Sequence, residues 1–189
     1  MSAITADALP RHKLTVDDFH RMGEAGIFSE NDRIELIEGE LIDRTPIGNR
    51  PATVVRKLIH LLRSIDARQA VLDVQNPIVL GLDSEPEPDL VLLRPRADFY
   101  AESMPRAADV LLLIEVSDTT GTYDRQIKLP LYARHRIPEV WIIDVNAGSL
   151  ERYTEPTERG YGACETFDRQ QRVAPSLLPE IQLELTNLL

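Results

Sequence analysis

The chain has 189 residues, 43% hydrophobic and 28% charged, ordinary values for one globular domain with a real core. Its net charge of −10, from 31 acidic and 21 basic residues, argues against nucleic-acid binding by general electrostatic attraction. The lone Cys164 excludes an internal disulfide and a cysteine-based zinc site, and His12, His20, His60 and His135 show no close metal-ligand pairing.

No apolar run approaches the roughly 18 residues that span a bilayer, and Met1 to Pro10 lack the basic flank and apolar centre of a signal peptide. The expectation is a cytoplasmic protein, a single domain over residues 1–189 with a flexible tail over residues 1–12. Thr15 with Asp18 three residues later predicts a capped helix start, with Val16, Phe19 and Met22 inward and Gly23 or Gly26 as the stop. Arg33 to Arg44 reads as a hairpin turning at Glu38-Gly39, with Glu35 on the face opposite Ile34 and Leu36. After a loop marked by Pro46, Gly48 and Pro51, apolar residues from Val54 to Ile65 recur at helical spacing. Arg50, Arg56, Lys57 and Arg63 are candidates for a basic strip there, although a solvated helix face is the simpler and preferred reading.

Val71 to Gln75 and Ile78 to Leu80 predict short strand pieces. The prolines of Glu85-Pro86-Glu87-Pro88 hold an extended segment that delivers the chain to Asp89 and the apolar run Leu90 to Leu93. Pro95 to Pro105 reads as a loop. Val110 to Ile114 is too short to cross a membrane and fits a strand buried on both faces, ending at Glu115. Ser117 to Thr120 offer helix caps, a helix carrying Lys128 and Tyr132 follows, and Val140 to Ile143 return as a strand ending at Asp144. Strand, helix, strand is the βαβ pattern. Pro130 inside the helix should kink it or shift its register. Leu150 to Thr154 is expected to pair back, Glu155 to Ala163 reads as a surface loop, and Ile181, Leu183 and Leu185 alternate like a strand.

Two acids stand out. Asp89 opens one apolar strand and Glu115 closes another, and a carboxylate beside such strands is costly without a cation or donors. If the two strands are antiparallel neighbours, both acids fall at one end of the sheet and could share a hard divalent cation such as Mg²⁺. A helix cap or an arginine partner accounts for either acid taken alone. Gln75 could line the same place or be a satisfied structural amide, and Tyr132 and Trp141 read as core.

Several blocks, in order, resemble a bacterial family of putative restriction endonucleases within the PD-(D/E)XK nuclease superfamily. They are Glu35 to Leu41, Pro86 to Val91, Leu113 to Ser117, and Lys128 to Arg134 continuing through Ile137 to Asp144. The resemblance implies a restriction-endonuclease-like α/β fold with a central mixed β-sheet flanked by helices, and cleavage of DNA phosphodiesters with Mg²⁺, or Mn²⁺ as substitute. Pro88-Asp89 then supplies the PD element, Glu115 the second acid and metal partner of Asp89, and Glu35 an added acid. The superfamily's lysine two residues after the second acid is missing, because position 117 is Ser117. Lys128 could reach the same place from the following helix. A homodimer is expected, since restriction-type nucleases often pair to cut two strands.

The competing reading is a non-catalytic binding or assembly module on the same fold, favoured by Ser117 and by the acidic charge. A glycosidase using the Asp89/Glu115 pair has the right residue types but lacks the aromatics of a sugar cleft, and no G-x-S-x-G elbow suggests a serine hydrolase.

Overall fold

The unbroken apolar runs of the sequence become the middle of a six-stranded sheet. The computed structural model describes residues 11–29 and 31–189, so the expected tail over residues 1–12 lies outside the described residues up to position 10. Helix α1 (Val16–Glu24) starts with the capping box Thr15/Asp18 in both directions, and Gly26 takes a left-handed φ of 72° just beyond its end. Strands β1 (Ile34–Ile37) and β2 (Glu40–Asp43) form the expected hairpin. Helix α2 (Asn49–Leu62) turns Val54, Val55, Leu58 and Leu62 into the core.

Strands β3 (Val71–Val74), β4 (Leu90–Leu93), β5 (Val110–Ser117), β6 (Glu139–Asp144), β7 (Ser149–Thr157) and β8 (Gly160–Asp168) lie in sequence order in the main sheet. Only the β5/β6 pair within it is parallel, so the sheet is mixed and the α/β class expected from the sequence holds. A parallel pair needs a crossover. Here it is α3 (Gly121–Tyr123), a π-helical segment Asp124–Lys128, and α4 (Leu129–Arg134). Pro130 has no N–H to donate back along the helix, and the wider π turn lies immediately before it, which is the register shift its position predicted. Short strands β9 (Arg172–Val173) and β10 (Leu183–Glu184) pair apart from the sheet.

Side chains alternate across the strands and give two cores. Leu90, Leu112, Ile114 and Trp141 pack under α2 and the C-terminal segment. Val91, Leu113 and Ile142 pack under α4 with Leu131 and Tyr132.

Four expectations change. Strand β5 continues through Val116 and Ser117, so Glu115 sits inside a strand and not at its end. The segment read as a surface loop, Glu155 to Ala163, lies instead within the β7/β8 hairpin. An edge strand wet on both faces carries no apolar alternation, and β8 is such a strand. Ile78 to Leu80 makes isolated bridges only, Val79 with Arg106 and Leu80 with Ser84. At the C-terminus β10 has two residues, and Leu185 begins a 3₁₀ turn.

Candidate active site

The antiparallel register pairs Leu90 with Ile114 and Val91 with Leu113, which brings Asp89 beside the Glu115–Val116 step. By alternation Asp89 shares a face with Val91, and Glu115 with Leu113, both on the side that packs under α4. The Val116 N–H donates to Asp89 Oδ2 at 2.8 Å. The Gln75 amide approaches Oδ1 at 3.5 Å, a weak contact that leaves this oxygen nearly free.

Glu115 is held from the crossover. Lys128 Nζ donates to its Oε1 at 3.1 Å, and the Tyr132 hydroxyl donates to the same oxygen at 2.6 Å. Lys128 also reaches Glu35 Oε1, at 2.9 Å, and so bridges the hairpin acid and the sheet acid while itself only 3% exposed. Glu35 Oε1 takes a further bond from the Glu87 N–H at 2.8 Å and lies 3.4 Å from Arg44 Nε. Its other oxygen, Oε2, is buried without a partner among the described residues. The structure therefore brings Asp89, Glu115, Glu35 and Lys128 to one place.

Sequence reasoning missed three neighbours. Asp124 is buried, and its Oδ2 accepts from Ser117 Oγ at 2.5 Å and Thr120 Oγ1 at 2.7 Å. Ser117 thus spends its hydroxyl on Asp124. Arg44 pairs with Glu87 as well as approaching Glu35. Tyr132 is core, as expected, and also a donor to Glu115. The spacing of Asp124, Lys128 and Tyr132, four residues apart each time, was the available signal that they share a face.

Glu35, Arg44, Asp89, Glu115, Asp124 and Lys128 help to wall a cavity of about 440 Å³. Its lining carries the carboxyls of Glu35, Asp43, Asp89, Glu115, Asp118 and Asp124 against only two cations, Arg44 and Lys128. Burial pushes Glu115 up to about 8, with Asp124 and Asp89 adding repulsion and Lys128 opposing. Asp89 is raised by burial too, against its bond from Val116 and the charge of Lys128. For Lys128 burial works downward, but Glu115 and Glu35 outweigh it and hold the ammonium charged.

Four of these carboxyls, those of Glu35, Asp89, Glu115 and Asp124, are buried, and such an excess suits a hard cation. A cation would relieve Asp89 Oδ1, with its one weak contact, and the raised Glu115, and the orphaned Glu35 Oε2 belongs to the same cavity wall. Among the described residues no three His, Cys, Asp or Glu side chains converge as a ready-made metal cage, so waters would complete the shell, as Mg²⁺ prefers.

A family model described as "Putative restriction endonuclease" matches residues 16–186. The chain belongs to the Uma2 family. The match spans all four sequence blocks and every side chain that meets at the cavity of this Uma2 chain. Among solved structures it is similar to a putative nuclease from Anabaena variabilis, with 19% identity, a TM-score of 0.71, and coverage of 93% of this chain and 97% of the other. At that identity the likeness concerns the fold. Among curated proteins none matches. No helix among the described residues is long and apolar enough to cross a membrane.

Proposed function

We propose that this Uma2 protein is a divalent-metal-dependent DNA endonuclease of the PD-(D/E)XK type, with Mg²⁺ as its metal and Mn²⁺ as substitute. The observation that carries the reading is Lys128 bridging Glu35 and Glu115 beside Asp89. Asp89 and Glu115 would hold the cation. When bound, a divalent ion supplies charge neutralisation at the phosphate and a water of lowered pKa. The protein's own part is positional. The Val116 N–H orients Asp89, Tyr132 orients Glu115, and Lys128 stays cationic to stabilise charge on the phosphoryl oxygens as the bond breaks. Lys128 fills the role left open at Ser117, and Glu35 keeps the ammonium in place. The same reading makes the protein a cytoplasmic, single-domain C₂ homodimer, so that two sites cut two strands. Light scattering at the mass of one chain contradicts that assembly.

One observation favours the second reading, a non-catalytic module on the same fold. Ser117 Oγ donates to Asp124, so no cation stands at that position of β5, and Glu115, raised by burial, is a poor ligand until a cation displaces its proton. The test is plasmid nicking at low salt with Mg²⁺, Mn²⁺ or chelator, wild type beside Glu115→Ala. The nuclease reading expects cleavage in wild type with metal only. Equal residual cleavage in both proteins marks a contaminant, and none in either favours the module.

A further inference from the structure

Cations of this acidic chain commonly sit against carboxylates, as Arg21, Arg96, Arg125 and Arg152 do. Arg50 and Lys57 are among those that do not, as Arg94 and Arg136 also are. Arg50 donates to Asn146 Oδ1 at 2.8 Å and to the Val145 carbonyl at 3.0 Å, and Lys57 donates to the Leu188 carbonyl at 3.1 Å. These partners are neutral, so among the described residues both positive charges stay uncompensated.

Both side chains wall a second cavity, of about 360 Å³, with Asn49, Thr53, Val145 and Gly148. No acidic side chain lines it, in contrast to the six carboxyls of the first cavity. The two cavities meet at the first turn of α2, where Gly48 and Pro51 face the first and Asn49 and Arg50 the second. Their rims are joined. Arg50 holds Asn146, and Asn146 Nδ2 donates to Asp118 Oδ1 at 2.8 Å on the first cavity's wall.

Helical spacing sorts the basic residues of α2 into two stripes. Arg50, Thr53 and Lys57 follow one another at steps of three and four and so share a side, whereas Arg56 and Arg63 fall on another. Arg50 and Lys57 are separated by a rise of about 10 Å along the helix, well beyond the reach of a single phosphate group. They can therefore meet two separate phosphates.

We propose that this second cavity seats the sugar-phosphate backbone of the nucleic-acid strand flanking the cleavage position, Arg50 and Lys57 each neutralising one phosphate. The inference rests on the nuclease reading and deepens it. It places the attraction that a chain of net charge −10 lacks overall beside the carboxylate cavity that must receive a phosphodiester.

The test measures binding of a short labelled duplex by fluorescence anisotropy across a salt series, with Ca²⁺ in place of Mg²⁺. The proteins are wild type, Arg50→Ala/Lys57→Ala, Arg56→Ala/Arg63→Ala, and the charge-keeping Arg50→Lys. Each phosphate contact contributes about 0.9 to the slope of log K against log salt. The Arg50→Ala/Lys57→Ala slope should therefore be shallower by about two, while Arg56→Ala/Arg63→Ala and Arg50→Lys keep the wild-type slope. If wild type binds DNA and Arg50→Ala/Lys57→Ala keeps its slope, this site is overturned and the nuclease reading stands, and a lowered melting temperature in that variant would assign Lys57 to holding the C-terminal segment. An equal fall in Arg56→Ala/Arg63→Ala also overturns it. A wild type that neither binds nor cuts DNA removes both readings.

Discussion

The Lys128 ammonium stands 2.9 Å from Glu35 Oε1, and both side chains are almost wholly buried. The pair joins the β1/β2 hairpin to the crossover after β5, so it ties together two parts that no backbone ladder connects. Removing one member of a buried ion pair leaves an uncompensated charge and costs about 3–5 kcal/mol. Lys128→Met, which keeps the stem and deletes the charge, should lower unfolding free energy by about that amount in urea titration. A loss below about 1 kcal/mol contradicts the bridging role.

Glu115 sets a pH dependence. Its carboxyl rises from an ordinary 4.5 to about 8 in the folded protein, first through burial. Between those values the folded state holds a proton that the unfolded state has released, so stability falls as pH rises through that window. Glu115→Gln cannot titrate. Wild type should therefore lose stability relative to Glu115→Gln from pH 5 to pH 8, read by denaturation at each pH. A constant difference across the window contradicts the raised Glu115.

The bond between Ser117 and Asp124 anchors the end of β5 to the crossover. Ser117→Ala removes one buried hydrogen bond, about 1 kcal/mol. For a chain of this size that is a fall of about 2–4 °C in Tm by calorimetry. Asp124→Ala strands the hydroxyls of both Ser117 and Thr120 and should cost more than Ser117→Ala. Equal effects from the two changes would show that Asp124 does not organise this turn.

Much of the scaffold was legible because it follows from apolar pattern. Runs such as Leu90 to Leu93 and Val140 to Ile143, short and apolar throughout, fit strands buried on both sides, and Thr15 with Asp18 announces its own cap. Asp89, Glu115, Glu35 and Lys128 were picked out by residue type, family blocks and position at strand ends. What escaped depends on distant partners. Asp124 inside a helix looks like a solvated acid until Ser117 and Thr120 are seen to hold it. Arg44 gains its place only from the hairpin's approach to Glu35 and Glu87. Strand β8 was invisible for the opposite reason, since an edge wet on both faces imposes no pattern on its residues.

The central claim is that Asp89 and Glu115 form a divalent-cation site that serves phosphodiester cleavage, and metal calorimetry tests it most directly. Mg²⁺ and Mn²⁺ are titrated into wild type and into Asp89→Ala, with folding of both checked by circular dichroism. The account predicts one saturable site in wild type, proton release from Glu115 on binding at pH 7, and no site in Asp89→Ala. Equal binding in the two proteins, or none in wild type with either metal, contradicts it.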